Sequence, residues 1–96
     1  MQMSKRRSRL EIILIILDAI RNGVEKPTRI MYAANMSWMP VQKILSRLVE
    51  QAIILEVHDT EATNSKRRYQ ITEKGEKILD YFDGAKEILA LEELFV

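Results

Sequence analysis

The sequence predicts a mainly α fold of the α+β class, and three observations carry that prediction. A capped apolar segment opens the chain, two short helical patterns follow with a turn between them, and a polar stretch between two β-prone runs precedes a last helical pattern. Only 3 Gly and 2 Pro occur in 96 residues, so long regular elements are expected. A chain of this length fits one core. Its 47% hydrophobic and 30% charged residues make an ordinary globular balance.

Ser8-Arg9-Leu10-Glu11 has the form of a capping box, in which the serine hydroxyl accepts from the Glu11 amide and the Glu11 carboxylate reaches back. Leu10, Ile13, Leu14, Leu17 and Ile20 then recur at helical spacing. Taken alone, the β-branched run Ile12–Leu17 also suits a strand. Length and the cap favour a helix ending near Asn22-Gly23, where glycine supplies a left-handed stop. A second stripe, Ile12, Ile16 and Ala19, makes this helix apolar nearly all round, which predicts burial on more than one side.

Val24–Pro27 reads as a connector. Thr28 is the expected N-cap of a short helix, Arg29–Ala34, followed by a turn at Asn35-Met36. Ser37 is the expected cap of the next helix, whose first turn tolerates Pro40 because no intrahelical donor is lost there. Val41, Ile44, Leu45, Leu48 and Ala52 form its expected buried face. Met39, Gln42, Lys43, Ser46, Arg47 and Glu50 are left on the outer one.

Ile53–His58 reads as a strand, Asp59–Lys66 as a polar loop turning at Asn64-Ser65, and Arg68–Ile71 as the returning strand. Thr72 is expected to cap a last helix running to about Leu94. The order is helix, helix, turn, helix, hairpin, helix. That is a winged helix-turn-helix with an added C-terminal helix.

In a helix-turn-helix the second helix of the pair enters the major groove, and its early outward residues meet base edges. Here those are Ser37, Met39, Gln42, Lys43 and Ser46, with Arg47 angled toward a phosphate. Gln pairs with adenine and Lys donates to guanine acceptors, so the chemistry of direct readout is present. The same face, taken by itself, equally suits an ordinary solvated helix. Lys66-Arg67-Arg68 falls at the tip and base of the predicted hairpin, within reach of a phosphate backbone or a minor groove. Lys5-Arg6-Arg7 and Arg9 form a second basic cluster, and Arg29 adds a cation on the first helix of the pair. Either cluster alone reads as a solubilising run. Two of them flanking a helix-turn-helix favour double-stranded DNA as the partner.

Charge along the chain agrees. The formal net charge is only +1, yet residues 1–75 hold 13 Lys+Arg against 8 Asp+Glu, and residues 76–96 hold 2 against 6. A basic body with an acidic tail is an asymmetry a polyanion feels locally. Trp38, the single tryptophan, is expected to pack as core, with a sugar-phosphate contact as the alternative.

In the last helix, Ile78, Leu79 and Phe82 can pack back on the domain. Beyond Gly84, Ile88, Leu91 and Phe95 continue the apolar stripe, with Ala85 and Leu89 beside them. A helix projecting past a small domain leaves that stripe uncovered, and a partner helix is the natural cover. A fold-back across helix 1 within one chain is the alternative, and both can hold together. The expected homodimer interface is Ile12, Ile16, Tyr81, Ala85, Ile88, Leu91 and Phe95. The expected organisation is a DNA-binding domain over residues 1–75 and a continuous C-terminal dimerisation helix over 76–96.

Other functions find little support. His58 is the single histidine and cysteine is absent, so no disulfide framework or thiolate metal site is expected. No phosphate-cradling glycine loop or nucleophile elbow occurs. Asp80/Asp83 and Glu92/Glu93 read as solvated helix faces, so no enzyme, cofactor or small-molecule substrate is expected. The basic start before Ile12–Leu17 resembles a signal peptide, but its unbroken apolar run is six residues bracketed by Glu11 and Asp18, with no cleavage site after it. Such a run is too short to span a bilayer. A cytoplasmic, nucleoid-associated protein with no membrane partner is expected. The rival reading is a winged-helix protein-interaction module that never touches DNA, because fold does not fix function.

The residues also resemble a known family. Arg9-Leu10-Glu11-Ile12-Ile13 with Ile16-Leu17 is similar to the opening helix of the crenarchaeal ten-kilodalton winged-helix DNA-binding proteins. Thr28-Arg29-Ile30-Met31-Tyr32-Ala33-Ala34-Asn35-Met36-Ser37 resembles that family's most specific segment. Leu48-Val49-Glu50 and Tyr69-Gln70-Ile71-Thr72-Glu73-Lys74-Gly75 extend the likeness over most of the chain. The resemblance implies a chromatin-associated or regulatory archaeal protein, dimeric through an antiparallel coiled coil of terminal helices and without a cofactor. Asp59–Lys66 is longer than that family's wing, with a correspondingly shorter last helix. Trp38-Met39-Pro40 departs from its usual recognition-helix start.

Overall fold

The computed structural model describes residues 8–59 and 66–92. Its elements are α1 (Arg9–Arg21), α2 (Pro27–Ala34), α3 (Trp38–Glu50), β1 (Ile54–Asp59), β2 (Lys66–Ile71) and α4 (Glu73–Glu92). Four helices and a two-stranded antiparallel sheet make a mainly α winged helix, the fold class the sequence predicts.

The capping box at α1 forms as expected. The Glu11 amide donates to Ser8 Oγ at 3.0 Å and the Ser8 amide donates to Glu11 Oε1 at 3.3 Å. At the other end Gly23 takes φ +97°, and the Val24 amide donates to the Ala19 carbonyl at 2.9 Å, closing a Schellman motif. The ends of α2 and α3 repeat that device with other residues. Asn35 (φ 54°) lets the Met36 amide reach the Met31 carbonyl, and Ala52 (φ 60°) lets the Ile53 amide reach the Leu48 carbonyl.

Helix α2 begins two residues before the expected span. Pro27 occupies its first turn and Lys26 its N-cap position, so Thr28 lies inside the helix rather than capping it. Ser37 does stand at the N-cap of α3, but its hydroxyl makes no capping bond. Val41, Ile44, Leu45 and Leu48 are buried as expected. Ala52 is not on that face: α3 has ended, and Ala52 is the exposed left-handed residue of the turn.

Core residues come from every element. Ile16, Leu17 and Ile20 of α1 meet Ile30 and Ala34 of α2, the buried face of α3, Ile53 and Ile54, Tyr69 of β2, and Leu79 of α4. Trp38 is half-buried at the first position of α3. The hairpin pairs Ile54 with Ile71 and ends with Asp59 opposite Lys66. β2 thus starts two residues earlier than the sequence reading, because Lys66 and Arg67 extend the ladder opposite Asp59 and His58. The Asn64-Ser65 turn and the end of the last helix near Leu94 lie outside the described residues.

A compact junction joins α3, β2 and α4. The Thr72 hydroxyl lies within donating distance of the Ala52 and Ile53 carbonyls, at 2.7 and 2.8 Å, and accepts from the Gly75 amide at 3.1 Å. Thr72 therefore caps α4 as expected. Lys74 Nζ donates to the Gln51 carbonyl at 2.9 Å, closing the end of α3. Gly75 allows this approach: a Cβ there would press on the Ile53 carbonyl oxygen and stand 2.7 Å from Ile71 Cγ1.

Candidate nucleic-acid interface

Helix α3 divides cleanly. With Val41, Ile44, Leu45 and Leu48 turned inward, its outer face is a shallow concave surface of Met39, Gln42, Lys43, Ser46, Arg47 and Glu50. Met39 is 62% exposed, although it is a large apolar side chain. Gln42 is half-buried, while Lys43, Ser46 and Arg47 are exposed. Arg9, at the start of α1, meets Met39, Lys43 and Arg47 across a groove beside this face. Among the described residues no ion pair engages Arg9, Lys43 or Arg47.

A second cleft lies at the wing. Lys66, Arg67 and Arg68 of β2 line it together with Lys26, Pro27 and Thr28 at the start of α2. The connector before α2 is tied to β2, since the Tyr69 amide donates to the Glu25 carbonyl at 2.9 Å. Its side chain is tied as well: Arg68 Nη1 lies 3.2 Å from Glu25 Oε1. Arg68, expected within reach of a phosphate, is ion-paired, while no pair among the described residues engages Lys66 or Arg67. Lys26 is a cation of this cleft that the sequence reading left out. Its signal was Lys-Pro ahead of a helical pattern, which places Lys26 just outside the helix start.

The two clefts hold separate sets of residues, one at the α1–α3 groove and one between wing and α2. Arg29 and Ser37 are exposed and line neither. Lys5, Arg6 and Arg7 lie outside the described residues. Near the wing, His58 Nε2 lies 2.7 Å from Glu56 Oε2. Burial pushes the Tyr69 phenol above the usual tyrosine range, the Glu56 carboxylate pushes it further, and Arg67 opposes.

Of the residues expected at a dimer interface, Tyr81 is 73% and Ile88 68% exposed, with Ala85 half-buried between them. Ile12 is half-buried. Ile16 is fully buried in the core of its own chain, so it has no surface to offer a partner; α1 turns it inward beside Leu17. Leu91 falls on the last turn of α4, and Phe95 lies outside the described residues. Ile78, Leu79 and Phe82 are buried or half-buried. Arg21 closes the end of α1 onto α4 through Asp80 at 3.8 Å and Asp83 at 3.2 Å, with Asp18 at 2.9 Å beside them.

Among the described residues, no group of three or more His, Cys, Asp or Glu side chains is placed to hold a metal ion. No described helix is long and apolar enough to cross a membrane.

A family model for the winged helix-turn-helix matches residues 6–90. An uncharacterized protein of Methanocaldococcus jannaschii is 34% identical over 73 residues, which cover 76% of this chain and 67% of that protein. A second from the same organism is 32% identical over 77 residues, of whose length this chain spans only 33%. Among solved structures, Sso10a-2, a DNA-binding protein from Sulfolobus solfataricus, superposes with a TM-score of 0.69 at 26% identity, over 93% of this chain and 86% of that one. A variant of S. aureus MepR gives a TM-score of 0.76 at 15% identity, over 86% of this chain and 62% of that one, a likeness of fold.

Proposed function

The chain belongs to the winged helix-turn-helix family, and on that premise we propose that it is a dimeric duplex-DNA-binding protein that lays α3 in the major groove. The wing then rests on the backbone or in the minor groove. One observation carries the reading: Arg9, Lys43 and Arg47 come together on the open side of α3 without an ion pair among the described residues. Cations left unpaired beside an exposed recognition helix are what a phosphate backbone needs. Gln42, Lys43 and Ser46 face the base edges, Met39 offers an apolar contact to a thymine methyl, and Arg29, Lys66 and Arg67 hold the backbone. Lys5, Arg6 and Arg7 extend that grip.

The dimer forms through α4. Tyr81, Ala85 and Ile88 stand at spacings of four and three, which puts them along one helix face, and Leu91 continues it. Exposure of Tyr81 and Ile88 supports a partner helix there. Identity to Sso10a-2 over most of both chains supports kinship with the ten-kilodalton archaeal DNA-binding proteins. The role is regulatory or chromatin-associated, at the nucleoid in the cytoplasm, and not enzymatic.

Fluorescence anisotropy on a random duplex over a salt series tests the reading. Micromolar binding at low salt is expected, with log K falling by about 0.9 per phosphate contacted for each unit of log salt. Failure to bind duplex at micromolar protein in low salt overturns this reading and favours the protein-interaction module.

A further inference from the structure

We propose that the groove between the start of α1 and α3 binds a small amphiphilic carboxylate, an unbranched alkyl chain ending in one carboxylate. The groove has a volume of about 680 Å³, inside the range of about 300–1,000 Å³ that small-molecule sites occupy. Its floor is apolar, built by buried Ile44 and half-buried Ile12 and Met36, with exposed Pro40 at its edge. Its rim is cationic, with Arg9 on one side and Lys43 and Arg47 on the other. Among the described residues no carboxylate side chain lines it, and none of the three cations is ion-paired.

Two chemistries in one groove select the ligand. An inorganic anion uses the rim and leaves the floor wet, whereas a neutral alkane uses the floor and leaves the cations unmatched. A chain with a terminal carboxylate satisfies both. Arginine presents paired donors that suit a carboxylate. Among the described residues the lining holds no aromatic side chain to stack on a flat ring, while Met36 and Met39 are flexible thioethers that mould to an alkyl chain. Met39, Lys43 and Arg47 also belong to the outer face of α3. A seated carboxylate therefore withdraws three of the cations assigned to DNA, Arg9 with Lys43 and Arg47, and by linkage DNA weakens the carboxylate equally. That consequence rests on the DNA reading, and the site itself does not.

The direct test titrates isotope-labelled full-length protein with decanoate, butyrate and inorganic phosphate, followed by amide shifts. Decanoate should saturate shifts at Arg9, Ile12, Met36, Lys43 and Arg47 and bind at least about tenfold tighter than butyrate, since each buried methylene is worth up to about fourfold. Met36→Gln should lose about tenfold for decanoate, Met36→Leu should restore it, and neither should alter duplex binding. Decanoate and butyrate binding alike, phosphate giving the same shifts, or shifts spread to Tyr81 and Ile88 would each overturn the site. So would unchanged decanoate affinity in Met36→Gln. No DNA enters this titration, so its failure stands whatever the duplex result. Failure of duplex binding alone sinks the DNA reading and leaves the carboxylate site in place. With both intact, decanoate should release bound duplex.

Discussion

Gly75→Ala adds a single methyl group, yet it should unfold the protein at a much lower temperature. The new Cβ presses on the Ile53 carbonyl oxygen and stands 2.7 Å from Ile71 Cγ1 and 3.2 Å from its Cδ1. Real Cβ atoms do not approach this closely, and the carbonyl is backbone that cannot rotate away. That carbonyl also receives the Thr72 amide at 3.2 Å and the Thr72 hydroxyl at 2.8 Å. Overpacking of this kind costs about 1–3 kcal/mol, and loosening one of the two hydrogen bonds adds about 1 kcal/mol. Alanine returns about 1 kcal/mol through helix propensity, because Gly75 lies in the first turn of α4. The net is a destabilisation of about 2 kcal/mol, or roughly 8–16 °C in Tm for a domain of this size. Gly84→Ala is the control: it lies in the same helix, and among the described residues nothing stands within 4 Å of its Cβ. It should gain about 0.5–1 kcal/mol, raising Tm by about 4 °C. Thermal melts by circular dichroism, at one protein concentration so that association does not shift Tm, read both. A Gly75→Ala variant melting at or above the parent would refute the packing argument at the junction.

Lys43→Ala with Arg47→Ala should lower the magnitude of the salt slope of duplex binding by about 1.8; an unchanged slope in anisotropy removes this face from the contact surface. Replacing Lys66, Arg67 and Arg68 together should lower it by only about 1.8 rather than about 2.7, because Arg68 is held by Glu25; a drop near the larger figure means the ion pair opens on DNA. Ala52→Gly should stabilise by about 0.5–1 kcal/mol, since alanine at φ 60° carries strain that glycine does not; a lower Tm in chemical or thermal unfolding contradicts the left-handed turn. The Tyr69 phenol is held high by burial first and by Glu56 second. A raised folded-state pKa contributes stability that is present below the unfolded value near 10 and is lost as pH rises through the folded value. Unfolding titrations should therefore show stability falling at strongly alkaline pH, with a shallower fall in Tyr69→Phe.

What the sequence disclosed, and what it withheld, follows from how local each signal is. The capping box at Ser8 and Glu11 is complete within four residues, so it could be read without the fold. Gly23 and Asn35 were legible as stops because their types favour φ above zero. Ala52 makes the same turn, although helical spacing assigns it to the buried face of α3. Alanine carries no mark of a left-handed residue, and only Ile53 and Ile54 entering the core force the chain to turn there. Ile16 failed for a related reason. Periodicity assigns a residue to a stripe, but α1 is apolar on both sides, and which stripe faces inward depends on where α2 and α3 lie. The outer face of α3 was legible because a strong apolar stripe fixes its complement. Lys26 at the wing cleft was not, since it reaches Lys66 and Arg67 across about forty residues of chain through the bond from Tyr69 to Glu25.

Pairing, more than counting, decides which cations meet DNA. Residues 1–75 include Arg21 and Arg68 among their 13 cations, and the fold occupies both with carboxylates. Arg21 is engaged by Asp18, Asp80 and Asp83, and Arg68 by Glu25. Partly exposed pairs such as these add only about 0–1 kcal/mol each, so stability does not account for their effect. What they change is the field, because a paired guanidinium presents little net charge to an approaching phosphate. Asp80 and Asp83 belong to the acidic segment 76–96, and Arg21 draws them onto α1 through the first half of α4. Part of the acidic segment's charge is thus neutralised where α4 meets α1. Among the cations no described carboxylate engages are Arg9, Lys43 and Arg47 beside α3 and Lys26, Lys66 and Arg67 at the wing cleft. Removing Lys43 should therefore cost more duplex affinity than removing Arg68, although the two carry equal charge.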